Sequence, residues 1–379
     1  MIEINISLLI KPILRRDILT PREREIMELI RKNPSISQQQ LADMLSITRS
    51  SVAVHINNLS NQGYILGRGY ILRDEPYLVA IGGSNVDIFG YVNNPIIQGD
   101  SNPGTIKQST GGVARNIAEN ISRLNYRVSL ISAIGNDHRG QIILDELNEL
   151  GIDTENILSL PHDRTSVYFA IINNKGDMEV ALNDMEIVDK ITPDIIYKKR
   201  KIIENAEGTI VDTNISEETI EYILNNIEQK YYVDAVSVTK AYKIKNKLNK
   251  IYFLKANKLE AEILSDIKIN NIEDAVFAAK KLISSGLKSI VITMGEDGAV
   301  YVDRKNTEFV KSDPLEIVNA TGAGDAFMAA YVYSDVNNMK IKDRLKFATA
   351  ASRIALKSER TNSEKLSIEN IEEEMKYVK

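Results

Sequence analysis

Five short apolar runs, spaced between segments of helical periodicity, limit what this chain can fold into. The runs fall at 77–83, 128–134, 209–212, 251–256 and 289–294; helical patterns occupy 116–124, 140–150, 217–228, 275–285 and 324–333. Runs that are apolar at nearly every position are buried on both faces, and strands alternating with helices are joined by crossovers. The expectation is an α/β fold, a parallel sheet flanked by helices. Ligands of such sheets bind beyond the carboxyl ends of the strands, and Asp87 lies just past the first run. Segments 88–91, 104–109, 166–172 and 179–182 are short, alternating and bounded by turns, with Asn173-Asn174-Lys175-Gly176 as a hairpin turn. They predict a small β lid over the cleft, able to exclude water.

Residues 18–74 read as a separate domain. Thr20, Pro21 and Glu23 open a helix as N-cap, first-turn proline and capping-box acid, and Asn33-Pro34 stops it. Ser37 caps a second helix over 38–45, and Thr48 caps a third over 49–62 with Val52, Ile56 and Leu59 as its apolar stripe. The opposite face of the third helix carries Arg49, Ser50, Ser51, His55 and Asn58, side chains able to reach phosphates and base edges. Gly63 to Leu72 then forms two short strands around a Gly-Arg-Gly tip with Arg68 at its centre. The arrangement resembles the winged helix-turn-helix of bacterial regulators, which implies DNA as a partner. A three-helix bundle used for oligomerisation fits the same helices, although Arg68 has no packing role in it.

The charge is divided accordingly. Residues 1–74 hold ten Lys/Arg against seven Asp/Glu, while the rest hold 37 against 45. A mildly basic small segment on an acidic large one suits a nucleic-acid module joined to an enzyme. There is no cysteine and there are three histidines, which excludes disulfides and thiolate metal sites and disfavours a zinc centre. No apolar stretch is long enough to span a membrane, and residues 1–17 lack the basic leader and cleavage site of a signal peptide, so they read as an N-terminal extension. The chain reads as soluble and cytoplasmic.

The densest chemistry lies in Asn319-Ala320-Thr321-Gly322-Ala323-Gly324-Asp325. A helix N-terminus collects unpaired N–H donors and positive dipole, so a Gly-Ala-Gly turn there can hold an anion. Asp325 is a poor ligand for that anion and a better base for a nucleophile attacking it. Phosphate cradle plus base points to phosphoryl transfer; a glycine-rich turn capped by Asp fits the same letters. Gly111-Gly112-Val113-Ala114-Arg115-Asn116 is a second glycine turn entering a helix, Asn257-Lys258-Leu259-Glu260 starts a helix with a carboxylate in its first turn, and Thr293-Met294-Gly295-Glu296-Asp297-Gly298 runs from strand to turn.

In this order and at these separations, the four elements resemble the PfkB/ribokinase family of sugar and nucleoside kinases, from Pro76 to the C-terminus. The resemblance implies a ribokinase-like domain over 75–379, with Asp325 as general base and Gly322, Ala323 and Gly324 as backbone donors to the transferred phosphoryl group. It assigns Asp87, Gly111, Gly112 and Asn116 to the sugar, Asn257, Thr293, Gly295 and Gly298 to the nucleotide, and Glu260 to magnesium through water. ATP and Mg2+ are the implied cofactors. Asn319 stands where cation-activated relatives usually carry Asp, which weakens a potassium site without excluding carbonyl ligands, and K+ stays open.

Within the family, Ser101-Asn102-Pro103-Gly104, the segment Gly111 to Asn120 and Ala181-Leu182-Asn183-Asp184-Met185 look like the pseudouridine kinases, which phosphorylate the ribose 5′-hydroxyl of a C-nucleoside. Tyr168 and Phe169 alternate in the lid, and one of the two rings is a candidate to pack on uracil. Kinases for inosine, uridine or a free sugar, and a nucleoside-sensing regulator built on a kinase fold, are the competing readings. The unprotected edges of the lid sheet suggest a homodimer.

Overall fold

A computed structural model describes residues 19–33, 36–61, 64–65 and 76–379. The chain separates into two compact units, Met1–Pro76 and Tyr77–Lys379.

In the first unit, α1 (Pro21–Lys32) begins with a reciprocal capping box: Glu23 N–H donates to Thr20 Oγ1 (3.2 Å) and Thr20 N–H to Glu23 Oε2 (2.9 Å). The same box, Ser37 with Gln40, opens α2 (Gln38–Leu45). Thr48 Oγ1 accepts Ser51 N–H at 3.2 Å at the start of α3 (Arg49–Asn61). Each cap satisfies backbone donors that a helix start leaves over, worth about 1 kcal/mol apiece. The predicted stripes meet in one core of Ile26, Ile30, Leu41, Val52, Ile56 and Leu59, which Ile65 joins. The expected extension over 1–17, the Pro34 stop and, apart from Tyr64 and Ile65, the wing with Arg68 lie outside the described residues.

From Tyr77 the chain runs through β1 (Tyr77–Ile81), β2 (Asn85–Val92), β3 (Gly104–Gly111), α4 (Val113–Arg123), β4 (Arg127–Ile131), β5 (Ala133–Gly135) and α5 (His138–Glu149). Next come β6 (Leu158–Leu160), β7 (Ser166–Ile172), β8 (Met178–Asp184), α6 (Pro193–Asn205), β9 (Gly208–Asp212), α7 (Glu217–Asn226), β10 (Tyr231–Asp234) and α8 (Val238–Ala241). Then follow β11 (Phe253–Asn257), α9 (Lys258–Ser265), α10 (Ile272–Ser284), β12 (Ser289–Thr293), β13 (Ala299–Asp303) and β14 (Thr307–Val310). Helices α11 (Ala323–Val336), α12 (Ile341–Leu356) and α13 (Ile368–Glu374) complete the chain.

The main sheet has the order β14-β13-β12-β11-β10-β9-β1-β4. The strands from β12 to β4 are parallel, as expected of buried apolar runs. At the other edge β13 and β14 are antiparallel, which corrects the all-parallel expectation. The cause is the link after β12: Met294 N–H donates to Gly298 O in a tight turn, far too short for a parallel crossover. Alternate residues of β1 feed separate cores, Leu78 and Ala80 on one face, Val79 and Ile81 on the other.

The predicted lid is a four-stranded sheet, β3-β2-β7-β8. Asp87 is paired with Tyr168 and Ile88 with Phe169 across the β2–β7 ladder. Phe169 therefore shares the face of Ile88 and of exposed Leu182, while Tyr168 shares the side of Asp87.

Candidate active site at the carboxyl ends of the strands

The first turn of α11 is shaped by Gly322, whose φ of +84° would strain an ordinary residue and whose missing side chain would strike the carbonyl of Thr361. The helix starts at Ala323, so the N–H groups of its first turn have no intrahelical acceptor. Gly324 brings the backbone against the Lys255 ammonium: a Cβ there would lie 2.6 Å from Lys255 Nζ. Asp325 follows, 8% exposed, with Asn116 Nδ2 donating to its Oδ2 at 2.8 Å. Burial, then the carboxylates of Asp234 and Asp212, push its pKa up to about 7, against the opposing pull of Lys255 and Asn116. A carboxyl poised there can take a proton near neutral pH.

Three residues that the sequence reading passed over complete the floor. Asp212 ends β9 and accepts N–H bonds from Gly83 (3.0 Å), Ala114 (2.9 Å) and Asn214 (2.9 Å), tying the ends of β1 and β9 to α4. Leaving any of these donors unpaired would cost about 1–3 kcal/mol. Asp234 ends β10 and pairs with Lys255 Nζ of β11 at 3.1 Å. Burial opposes the Lys255 charge, but Asp234, Asp325 and Glu260 together outweigh it and raise its pKa. The usable signal was a charged residue at the end of, or inside, a buried strand, where an unpaired charge is costly.

Asn257 caps α9 and holds Glu260 in a capping box: Asn257 N–H donates to Glu260 Oε2 (2.8 Å), Asn257 Nδ2 to Oε1 (2.7 Å), and Glu260 N–H to Asn257 Oδ1 (2.9 Å). Glu260 is therefore buried rather than a solvated helix-start carboxylate, and burial raises its pKa. Thr293 pairs with Asn257 across the β11–β12 ladder, so the two lie side by side. Gly295 projects into open space, and Gly298 closes the turn into β13. Three carboxylates, Asp234, Glu260 and Asp325, act on one ammonium, leaving an excess of negative charge that suits a divalent cation. No cluster of three His, Cys, Asp or Glu that could hold a metal occurs among the described residues.

On the opposite side, Asp87 of the lid accepts Asn85 Nδ2 at 2.6 Å and lies beside Gly111, the last residue of β3. Burial raises its pKa against Asn85 and the Arg115 charge. Gly112 precedes α4, whose first turn carries Asn116 to Asp325. Asn362 also enters the site, with Nδ2 donating to Glu119 Oε2 (2.7 Å) and Asn116 Oδ1 (3.3 Å). Asp325, Gly322, Ala323, Gly324, Asp87, Gly111, Gly112 and Asn116 thus converge, with Asn257, Thr293, Gly295 and Gly298 at the neighbouring strand ends.

In the N-terminal unit Arg49, Ser50 and Ser51 are exposed at the start of α3, with both serine hydroxyls 2.9 Å from Thr48 Oγ1. His55 departs from its expected outward position. It is half-buried, with Nδ1 3.8 Å from Glu23 Oε1, because the capping box of α1 places a buried carboxylate beside it.

The model of the pfkB family carbohydrate kinases matches residues 75–367, and a winged helix-turn-helix DNA-binding model matches residues 19–65. The chain is 39% identical over 303 residues to the pseudouridine kinase of Escherichia coli (strain K12), covering 79% of this chain and 96% of that one. An "uncharacterized sugar kinase" of the same strain is 35% identical over 351 residues, 92% of this chain and 97% of its own, so that likeness reaches into the N-terminal unit. The structure of Arabidopsis thaliana ribokinase complexed with ribose and ATP superposes with a TM-score of 0.71 at 19% identity, covering 80% of this chain and 99% of that one, which shows the shared fold. This chain belongs to the pfkB family of carbohydrate kinases, as a sugar or nucleoside kinase with a winged helix-turn-helix domain at its N-terminus.

Proposed function

We propose that the protein transfers the γ-phosphoryl group of ATP to the ribose 5′-hydroxyl of pseudouridine. The observation that carries the reading is the buried Asp325 carboxylate, held at the N-terminus of α11 and bonded to Asn116 from the sugar side. In this reading Asp325 takes the hydroxyl proton as the oxygen forms its bond to the γ-phosphorus, and the bond from that phosphorus to the β-bridging oxygen breaks, leaving ADP. The N–H groups of Gly322, Ala323 and Gly324 and the Lys255 ammonium beneath them stabilise negative charge on the transferred group. Asn257 and Glu260 would hold magnesium through water; when bound, it neutralises phosphate charge. Asp87, Gly111, Gly112 and Asn116 hold the sugar, and Tyr168, on the same side of the lid as Asp87, packs on the base. Thr293, Gly295 and Gly298 border the nucleotide.

Pseudouridine is favoured over other acceptors by the likeness to the E. coli enzyme and by the run Gly111 to Asn120. The test is a panel of pseudouridine, uridine, inosine, adenosine and ribose with coupled ADP detection. Pseudouridine should give the highest kcat/KM, with phosphate at the 5′ position. A higher value for ribose or a purine nucleoside would overturn the assignment.

The N-terminal unit is proposed to bind DNA through the start of α3, supported by the family match and by exposed Arg49, Ser50 and Ser51. Exposed Met178, Val180 and Leu182 along lid-edge strand β8, with Ile106 on the other edge, support pairing of two lids in a homodimer. Among the described residues no helix is long and apolar enough to cross a membrane, and an ATP-dependent nucleoside kinase suits the cytoplasm.

A further inference from the structure

Among the described residues Arg115 is the largest fully buried side chain, 2% exposed, and lies between the Gly111-Gly112 turn and Asn116. A buried guanidinium is costly unless its charge and donors are matched. Here Nη2 pairs with Glu119 Oε2 (3.0 Å) and Glu146 Oε2 (2.9 Å), while Nη1 donates to Asn116 Oδ1 at 3.1 Å. Glu146 Oε2 also accepts Thr110 Oγ1 at 2.5 Å, which joins lid strand β3 to the same carboxylate. The Nε–H is buried without a protein acceptor, so the fork is oriented by what its two ends hold.

The contact with Asn116 has a directional consequence. An Asn amide can present either its NH2 or its oxygen to a neighbour, and the two choices act oppositely on a carboxylate. With Arg115 and Asn362 both donating to Oδ1, the NH2 is committed to Asp325. Were the amide reversed, its oxygen would face the carboxylate and repel it. Arg115 does this from one residue away in sequence and does not itself bond to Asp325.

We infer that Arg115 is a positioning residue for phosphoryl transfer: it fixes the Asn116 amide with its NH2 toward Asp325, and through Glu146 and Thr110 it ties that orientation to lid strand β3. The inference rests on Asp325 acting as the base. Besides Asn116, the charged groups facing Asp325 are Asp234 from β10, Lys255 from β11 and Asp212 from β9. None of them changes when Arg115 is replaced by Lys, which keeps the charge and loses the fork.

The test compares full-length wild type, Arg115→Lys and Glu146→Gln in nucleoside kinase assays across pH 5.5–9, with thermal melts as a check of folding. Glu146 is 44% exposed on its side chain, so its replacement should leave the fold intact. In Arg115→Lys the acid limb of kcat/KM should move up by about half a pH unit or more, because the donor that lowers the Asp325 pKa is no longer held. Its kcat should fall about tenfold or more through misorientation, with the KM for ATP unchanged. Glu146→Gln should shift the limb in the same direction by less. A wild-type acid limb in folded Arg115→Lys, whatever its turnover, would overturn the inference; if that variant does not fold, a wild-type limb in Glu146→Gln does so. Full activity in Asp325→Asn would instead sink the base assignment itself, a separate failure.

Discussion

Asn116 Nδ2 stands 2.8 Å from Asp325 Oδ2, so the first turn of α4 and the first turn of α11 meet at one hydrogen bond. The two residues are 209 positions apart in the chain. One comes from the glycine turn proposed to hold the sugar and the other from the glycine turn proposed to hold the phosphoryl group. In that reading their contact is where the acceptor hydroxyl and the phosphorus would be brought together.

Replacing the carboxylate tests that junction. Asp325→Asn keeps the size of the side chain and removes its basicity, so kcat should drop by at least about a hundredfold while nucleoside binding stays near wild type. Steady-state kinetics with calorimetric binding of the nucleoside separates the two. Turnover within a few-fold of wild type would remove Asp325 from the base role.

The environment of Asp325 also sets a pH dependence. Its pKa is raised to about 7 by burial and by Asp234 and Asp212. A base works deprotonated, so kcat/KM should hold above pH 7 and fall about tenfold per pH unit below it. A profile flat down to pH 5.5 would mean that the free enzyme carries this carboxylate ionised well below neutrality.

These features were unevenly legible in the sequence. The strand–helix alternation, the lid strands, three helix caps and the Gly-Ala-Gly-Asp turn could be read because each is a local pattern with a local cause. Strand β10 was missed because Tyr231-Tyr232-Val233-Asp234 is short and ends in a charge. Helix α12 was missed because much of its buried surface is alanine, which gives a weak apolar stripe. Lys255 and Asp234 went unread because their pairing exists only across the β10–β11 ladder. Arg115 was visible as an unusual letter in a glycine turn, but its partners Glu146 and Thr110 come from other elements. The choice between Tyr168 and Phe169 needed the β2–β7 register, which periodicity along one strand does not contain.

That register yields a paired test in the lid. Asp87→Ala should raise the nucleoside KM strongly and leave the KM for ATP little changed, because the proposed carboxylate–hydroxyl contact would be lost. Tyr168→Ala should also raise the nucleoside KM, and by more for pseudouridine than for ribose, since ribose has no base to stack. Phe169→Ala should leave the nucleoside KM near wild type, as its side chain lies on the face of the lid opposite Asp87. Equal loss of ATP affinity in folded Asp87→Ala would assign Asp87 a structural part instead.

The N-terminal domain offers the last test. Arg49, Ser50 and Ser51 begin α3 in exposed positions, and groove-entering helices present their first residues to bases and phosphates. Half-buried His55, beside Glu23, is a weaker candidate for contact. One copy of so small a basic domain has a modest footprint, so useful affinity should come from a dimer on a roughly palindromic site. Binding should weaken steeply with salt, because Lys and Arg contacts to phosphates release counterions. Arg49→Ala and Arg68→Ala should each weaken binding, and loss of one phosphate contact should reduce the slope of log K against log salt by about one unit. Selection from genomic DNA with the full-length protein at moderate salt, followed by titrations with and without pseudouridine, measures both the site and its coupling to the kinase domain. Enrichment of no site, or binding indifferent to Arg49→Ala and to salt, would leave the helices of this domain with a packing role alone.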